Sequence, residues 1–180
     1  MYGLIHRYLK DHIIETEGDS MWAAIAAELH ISPTELISQE MYDDALTYEL
    51  VGVASRKMGQ PMDDCLGAFG RYWVRRVSQD TYRAIMDFTG RDLVTFIRNL
   101  DRMHHSVVTA MPLARVPSFA LTEESESELV VRYRSERSGL EPFVLGLLEG
   151  LLDRFGLNGT VERAENHNNA AHFRITLKAA

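Results

Sequence analysis

Up to about residue 110 the chain carries apolar residues at helical spacing. Two amphipathic faces open the sequence, the first formed by Leu4, Ile5, Tyr8, Leu9 and Ile13 and the second by Trp22, Ile25, Ala26 and Leu29. Residues that recur at intervals of three and four share one face of an α-helix, so both segments are predicted to be helices. The Ser32-Pro33-Thr34-Glu35 stretch then matches a capping box with proline at the first helical position, which predicts a further helix start.

Acidic residues and glycines divide the rest of this helical part. Asp43-Asp44 can begin a helix that Gly59 ends, because carboxylates favour helix starts and glycine favours helix ends. Further helices are predicted over residues 62–77, over 79–87 before Gly90, and over 91–110.

After Pro117 the period of apolar residues changes from about 3.6 to 2. Residues 118–122 and 128–135 alternate like two paired strands around a polar turn, and residues 139–155 form a strongly apolar helix. Asn158-Gly159 indicates a tight turn before a second hairpin formed by residues 160–166 and 172–178. The pattern therefore predicts an α+β fold, in which a helical amino-terminal part is followed by an antiparallel sheet in the order β-β-α-β-β.

The composition favours one globular domain that does not bind nucleic acid. The chain has 180 residues, 46% of them hydrophobic, which suffices for one core but not for two typical domains and a linker. The formal net charge is −7 and the basic residues are scattered, which argues against binding to a phosphate backbone. No apolar run approaches the roughly 18 residues of a membrane span, and the first residues are too polar for a signal peptide. A cytoplasmic protein is expected.

Cys65 is the one cysteine of the chain. It cannot form an internal disulfide or supply a cysteine-rich zinc cluster, and no CxxCH motif is available for covalent attachment of haem. Any haem would therefore be held non-covalently.

His104 and His105 lie side by side in the predicted helix 91–110, where successive side chains point about 100° apart. His104 follows Leu100 by four residues and so lies on the apolar face, whereas His105 shares the polar side with Asp101 and Arg102. An imidazole on an apolar face is either a packed core histidine or a ligand, such as the proximal ligand of a haem iron. Periodicity alone leaves both interpretations open.

The predicted strand over residues 128–135 begins apolar and ends polar. Its alternate positions place Leu129, Val131, Tyr133, Ser135 and Arg137 on one face. Two hydroxyl groups and a guanidinium group can together donate hydrogen bonds to one or two carboxylates, and haem carries two propionates. The alternative is that the last three residues are the ordinary solvent end of a strand.

Taken together, these residues resemble the haem nitric oxide/oxygen-binding family, H-NOX or HNOB, which includes the haem domain of the soluble guanylate cyclase β subunit. The family's Tyr-x-Ser-x-Arg motif is present as Tyr133-Arg134-Ser135-Glu136-Arg137, about 30 residues after His104. Further matching segments are residues 1–3, 42–44, 47–51, 68–70 and 116–119. The resemblance covers essentially the whole chain. It implies a single haem domain over residues 1–180, with a helical subdomain over about 1–60, a haem-binding α/β subdomain over about 61–180, and haem buried between the helical part and the sheet.

The resemblance also implies the residues of the site. His104 would be the proximal ligand of the iron of a haem b, and Tyr133, Ser135 and Arg137 would bind the propionates. Pro117 lies where the family places a proline that presses on the haem, and Ile5 lies where another distorting contact is found. The rest of the pocket is expected to be lined by Leu9, Trp73, Val77, Phe143 and Leu147.

Phe143 determines the expected gas, because family members that hold dioxygen use a tyrosine hydroxyl at the matching position. A phenyl ring cannot donate a hydrogen bond, so the resemblance implies a sensor of nitric oxide that also binds carbon monoxide at ferrous haem. Nitric oxide would weaken the bond between His104 and the iron, and the relaxing haem would change the contact with a separate partner. The family precedent for that partner is a histidine kinase or a cyclic-di-GMP enzyme.

Three other interpretations remain. An oxygen-binding H-NOX protein is possible if Trp73, whose indole carries an N–H, bonds to the gas. A small haem enzyme is disfavoured because the expected pocket holds no acid–base residue. A domain without cofactor is the third. No zinc site is expected, since His167 and His172 have no cysteine near them in the sequence.

Overall fold

The computed structural model describes residues 1–32, 36–79, 82–167 and 170–178, without the side chains of residues 166 and 167. The described residues form, in chain order, α1 (Gly3–Glu17), α2 (Asp19–Glu28), α3 (Asp44–Met58), α4 (Met62–Val77), α5 (Arg83–Thr89), α6 (Leu93–Ala110), β1 (Ser118–Glu124), β2 (Glu128–Arg134), α7 (Glu141–Phe155), β3 (Gly159–His167) and β4 (Ala170–Leu177). The predicted α+β class, with its β-β-α-β-β second part, is confirmed. Among the described helices, none is long and apolar enough to span a membrane.

Side-chain caps fix the starts of two helices. The carboxylate of Asp43 accepts the N–H of Ala45 at 2.8 Å, and that of Asp92 accepts the N–H of Thr95 at 2.8 Å. Both bonds satisfy N–H groups that have no partner within the helix. At the other end of α3, Gly59 adopts a left-handed conformation with φ 65°, which glycine reaches without steric cost. The helix predicted between Asp43-Asp44 and Gly59 is thus confirmed.

The helix expected to start at the Ser32-Pro33-Thr34-Glu35 box does not continue over residues 36–43, which form a loop, while residues 33–35 lie outside the described part. The loop returns to α1, where the carbonyl oxygens of Ser38 and Glu40 accept the first N–H groups of that helix at 3.1 and 2.9 Å. The predicted helix start itself is therefore not tested, and over residues 36–43 the loop backbone satisfies the start of α1 by this long-range pairing.

The chain contains two compact units, residues 1–69 and 70–180. In the first unit α2 packs against both α1 and α3. Its centre holds Ile13, Ile25 and Leu50, each at most 2% exposed. Burial of such side chains is the main contribution to the stability of this unit.

The first unit also buries one histidine completely. His6 is 0% exposed, and its Nε2 lies 2.8 Å from Oγ1 of Thr47. The ring packs against that of Tyr42, with a centroid distance of 5.4 Å and an angle of 75° between the ring planes. Burial, with the nearby amino-terminal ammonium as the second cause, lowers the pKa of His6 from 6.5 to about 4, although Asp44 opposes the shift. The folded protein therefore holds His6 neutral.

This histidine makes stability depend on pH. Because the folded pKa of His6 is below the unfolded value of 6.5, its contribution is complete above pH 6.5 and is lost as the pH falls towards 4. The loss is expected to be on the order of 1–3 kcal/mol. Urea unfolding at pH 7.5 and 4.5 should show a larger drop in the unfolding free energy for the parent than for His6→Gln. An equal drop in both proteins would contradict the prediction, and the exposed His105→Gln serves as the control.

The second unit is built on a four-stranded antiparallel sheet in the order β1-β2-β4-β3. Leu129 pairs with Ile175 and Val131 with Phe173, which places four side chains of at most 1% exposure in the centre of the unit. Helix α6 packs against β1, and α7 packs against β3 and β4. Both predicted hairpins are therefore present.

Candidate functional site

Helix α6 directs its two neighbouring histidines to different sides. Leu93, Phe96, Ile97 and Leu100 of this helix are buried. The face that they define continues to His104, which is half-buried, whereas His105 is exposed. The orientation predicted from spacing is thus present in the structure.

The ring of His104 is oriented by a backbone carbonyl. Its Nδ1 lies 2.9 Å from the carbonyl oxygen of Pro117. Because a carbonyl can only accept, Nδ1 carries a proton, and burial lowers the pKa of the imidazole despite opposing effects of this bond and of Asp101. In a neutral ring the lone pair is then on Nε2, which has no hydrogen-bond partner among the described residues. A histidine that donates through one nitrogen and presents the other is the usual arrangement of a metal ligand.

Asp101, one turn before His104, fastens α6 to β1. One carboxylate oxygen accepts the hydroxyl of Ser118 at 2.7 Å, and the other accepts the backbone N–H of Phe119 at 2.8 Å. These bonds hold the chain immediately after Pro117 against the helix. Sequence periodicity placed Asp101 on the solvent side, and the residue is indeed exposed, but its two bonds to β1 were not predicted.

A row of aromatic rings joins the surroundings of His104 to the sheet. The ring centroids of His104 and Phe119 are 5.9 Å apart, those of Phe119 and Tyr133 are 5.3 Å apart, and those of Tyr133 and Phe173 are 6.3 Å apart. Tyr133 is only 5% exposed. The structure therefore brings the predicted ligand His104 and the first residue of the Tyr-x-Ser-x-Arg motif to the same side of the unit.

The other two motif residues are not on the strand. Strand β2 ends at Arg134, so the expectation of a strand face reaching Arg137 was wrong. Instead, the Ser135 hydroxyl accepts the N–H of Arg137 at 3.0 Å, which is the local bond of a serine turn. The Arg137 side chain points back and donates through Nη1 to the carbonyl oxygen of Arg115 at 2.7 Å.

Helices α4 and α7 approach closely in the second unit. A Cβ added at Gly70 would lie 2.2 Å from the carbonyl oxygen of Phe143, so only glycine allows this contact. Phe143 and Leu147 are half-buried, as is Trp73, whereas Val77 is 7% exposed.

The remaining two predicted pocket residues belong to the first unit. Ile5, half-buried, and Leu9, 4% exposed, lie on one side of α1 a helical turn apart. Their predicted contact with a haem stays a prediction.

The second unit fits a haem in three respects. Nε2 of His104 is available as an iron ligand. Helix α7 buries Val144 and Leu148 in the protein but leaves the apolar Phe143 and Leu147 partly uncovered, as a flat apolar ligand requires. The motif residues provide hydroxyl and guanidinium donors for carboxylates. Asp101 and Phe119 are further residues of this site that the sequence analysis did not identify.

The family model for haem-NO-binding proteins (HNOB) matches residues 2–163 of the chain. Soluble guanylate cyclase 89Db of Drosophila melanogaster is 26% identical over 169 residues, which cover 93% of this chain and 25% of that protein. Soluble guanylate cyclase gcy-33 of Caenorhabditis elegans is 27% identical over 148 residues, covering 82% of this chain and 16% of that protein. The chain thus spans a quarter or less of the length of these relatives.

Solved structures show the same fold. The Fe(II) unliganded H-NOX protein from K. algicida superposes with a TM-score of 0.83 at 20% identity, covering 100% of this chain and 98% of that one. An oxygen-binding H-NOX domain related to soluble guanylate cyclases, in its oxygen complex, has a TM-score of 0.83 at 21% identity and covers 99% and 96%. Since the family model matches most of the sequence, the chain belongs to the haem-NO-binding (HNOB, H-NOX) family.

Proposed function

We propose that this H-NOX domain is a nitric oxide sensor that holds haem b non-covalently through His104 and also binds carbon monoxide. The observation that carries the proposal is the bond from Nδ1 of His104 to the carbonyl of Pro117, which leaves Nε2 free to coordinate. Family membership supports the cofactor. The relation to soluble guanylate cyclases supports a sensor role, with this domain performing no catalysis itself.

When bound, the haem would supply an iron that can be coordinated by an imidazole and can bind a diatomic gas. Nε2 of His104 would coordinate the iron, and the Pro117 carbonyl would keep the ring in the required tautomer. Tyr133, Ser135 and Arg137 would donate to the propionates. Pro117 itself would press on the macrocycle from the side of α6.

The selectivity of the sensor among diatomic gases would depend on the residues that line the proposed gas-binding pocket. Of the proposed liners in the second unit, the Phe143 side chain offers only carbon atoms, Val77 and Leu147 are aliphatic, and Trp73 alone carries an N–H group. Nitric oxide and carbon monoxide need no hydrogen-bond donor, whereas bound dioxygen carries partial negative charge and gains stability from one. An apolar pocket would therefore disfavour dioxygen.

Signalling requires that the gas bind two conformations of the protein with different affinity. To change the equilibrium almost completely, the difference must be about 10⁴-fold. We propose that the resulting shift acts on a separate protein, a histidine kinase or a cyclic-di-GMP enzyme. Immobilised ferrous protein, with and without nitric oxide, should retain such a purified partner to different extents.

Optical spectra of one purified preparation test the proposal. A Soret band should be present in the ferrous state and should shift on adding nitric oxide or carbon monoxide. A preparation that takes up no haem when haem is supplied would refute the proposal. If the ferrous protein instead formed a stable oxygen complex in air, an oxygen-binding function would be the better explanation.

Replacing Phe143 by tyrosine is expected to create affinity for dioxygen. The new hydroxyl could donate a hydrogen bond worth roughly 1 kcal/mol or more in a dry pocket, about a fivefold gain or larger. The parent and the Phe143→Leu control should form no stable oxygen complex. Equal oxygen affinity in Phe143→Tyr and Phe143→Leu would contradict the assignment of Phe143 to the gas pocket. A separate variant, Trp73→Phe, tests whether the indole N–H of Trp73 contributes to oxygen affinity.

A further inference from the structure

The positively charged side chain of Arg137 forms a hydrogen bond with a distant part of the backbone. Its Nη1 donates to the carbonyl oxygen of Arg115 at 2.7 Å, although the two residues are 22 positions apart. The Arg137 backbone is itself fixed by the bond from its N–H to Ser135, at 3.0 Å. The side chain of Arg115 is exposed and lies 3.8 Å from a carboxylate oxygen of Glu136, so it adds little to this connection.

The carbonyl that Arg137 holds is two residues before the carbonyl that orients His104. Pro117, whose oxygen accepts from Nδ1 of His104, has its φ fixed by the pyrrolidine ring. On the far side, Ser118 and Phe119 are bound to Asp101 at 2.7 and 2.8 Å. Residues 115–119 therefore form a short strap that is held at both ends, with the His104 acceptor between the two attachments.

We propose that Arg137 is a positioning residue for His104, acting through the Arg115 carbonyl and the strap formed by residues 115–119. The inference rests on the proposed role of His104 as the iron ligand. A guanidinium group carries five N–H donors, and the bond to the Arg115 carbonyl uses a donor on Nη1. If Arg137 also binds a propionate, as proposed above, haem binding and the His104 hydrogen bond would depend on the same side chain.

If Arg137 positions His104 through the strap, its substitution should change the imidazole of His104. Substitution of a residue that only binds a propionate should not have this effect. Losing the attachment at Arg115 frees one end of the strap, and the Nδ1–H···O bond of His104 should open more often. A weaker bond at Nδ1 makes the imidazole a poorer donor to iron. Lysine at position 137 keeps a positive charge but cannot match the planar fork of the guanidinium.

The test uses the full chain loaded with saturating haem, so that occupancy is equal in all variants. Two properties are measured: the His104–iron stretching frequency in the ferrous state by resonance Raman, and the exchange of the Nδ1 proton with water by NMR of the carbon monoxide complex. Arg137→Ala should lower the frequency and speed the exchange about two- to tenfold, as expected for loss of one hydrogen bond. Arg137→Lys should change both in the same direction.

Two controls define the outcome. Arg134→Ala removes an exposed arginine at the end of β2, three residues before Arg137. Arg115→Ala keeps the carbonyl that Arg137 uses, so both variants should match the parent. Parent-like frequency and exchange in Arg137→Ala and Arg137→Lys would overturn the inference while leaving the proposed function intact. Equal changes in Arg134→Ala would also overturn it. Absence of a histidine–iron band in the parent would instead refute the proposed function.

Discussion

Replacing His104 with alanine is expected to abolish retention of haem unless free imidazole is supplied. Loss of an outer hydrogen-bond partner of a metal ligand already costs about 10- to 100-fold in affinity, so removal of the ligand itself should cost more than about 100-fold. Nε2 of His104 has no hydrogen-bond partner among the described residues, so iron coordination is the proposed role that the alanine variant removes at this nitrogen. Haem content per protein, measured with and without added imidazole, checks the expectation.

His105→Ala is the matched control, because the neighbouring imidazole is exposed on the opposite side of the helix. Its haem content and ferrous spectrum should equal those of the parent. A protein that loses haem on substitution of His105 but not of His104 would reverse the assignment. Circular dichroism at equal concentration shows whether either variant has lost helix rather than ligand.

The helix face of His104 could be predicted because it depends only on residues within two turns of the same helix. Leu100 is buried four positions earlier, and this spacing determines the direction of the imidazole. The start of α3 is of the same kind, since Asp43 caps an N–H only two residues away. Contacts of this range are encoded in local sequence.

The partners of Asp101 and Arg137 could not be predicted in this way. Asp101 bonds to residues 17 and 18 positions later, and Arg137 bonds to a carbonyl 22 positions earlier. Such partners depend on how α6 packs against β1, which periodicity does not describe. The loop over residues 36–43 is a similar case, because its backbone pairs with the start of α1, more than thirty positions away.

Ser135 and Arg137 show a second reason why the sequence did not predict the geometry of the site. Alternation along an extended strand grouped them with Tyr133, yet β2 ends at Arg134 and the two residues lie in the following turn. Their positions are instead determined by the bond between the Ser135 hydroxyl and the Arg137 N–H and by the bond from Arg137 to the Arg115 carbonyl. The family motif identified the right residues, although the geometric reason first given for them does not hold.

The two turn residues are expected to differ in their contribution to haem retention, with Arg137→Ala more damaging than Ser135→Ala. A charged hydrogen-bond donor contributes about 1.5–3 kcal/mol and a neutral hydroxyl about 0.5–1.5 kcal/mol. These values correspond to roughly 10- to 150-fold against 2- to 12-fold in affinity. Ser135 is exposed and its oxygen already accepts from the Arg137 N–H, whereas Arg137 is half-buried.

The rate at which haem transfers to a haem-free acceptor protein measures this difference directly. Arg137→Ala should transfer haem faster than Ser135→Ala, and Ser135→Ala faster than the parent. Because the Ser135 hydroxyl also fixes the Arg137 backbone, the double variant should cost less than the sum of the two single changes. Equal transfer rates in the two single variants would show that the charge of Arg137 is screened by water, and the motif would then hold the propionates by shape and hydroxyl donors alone.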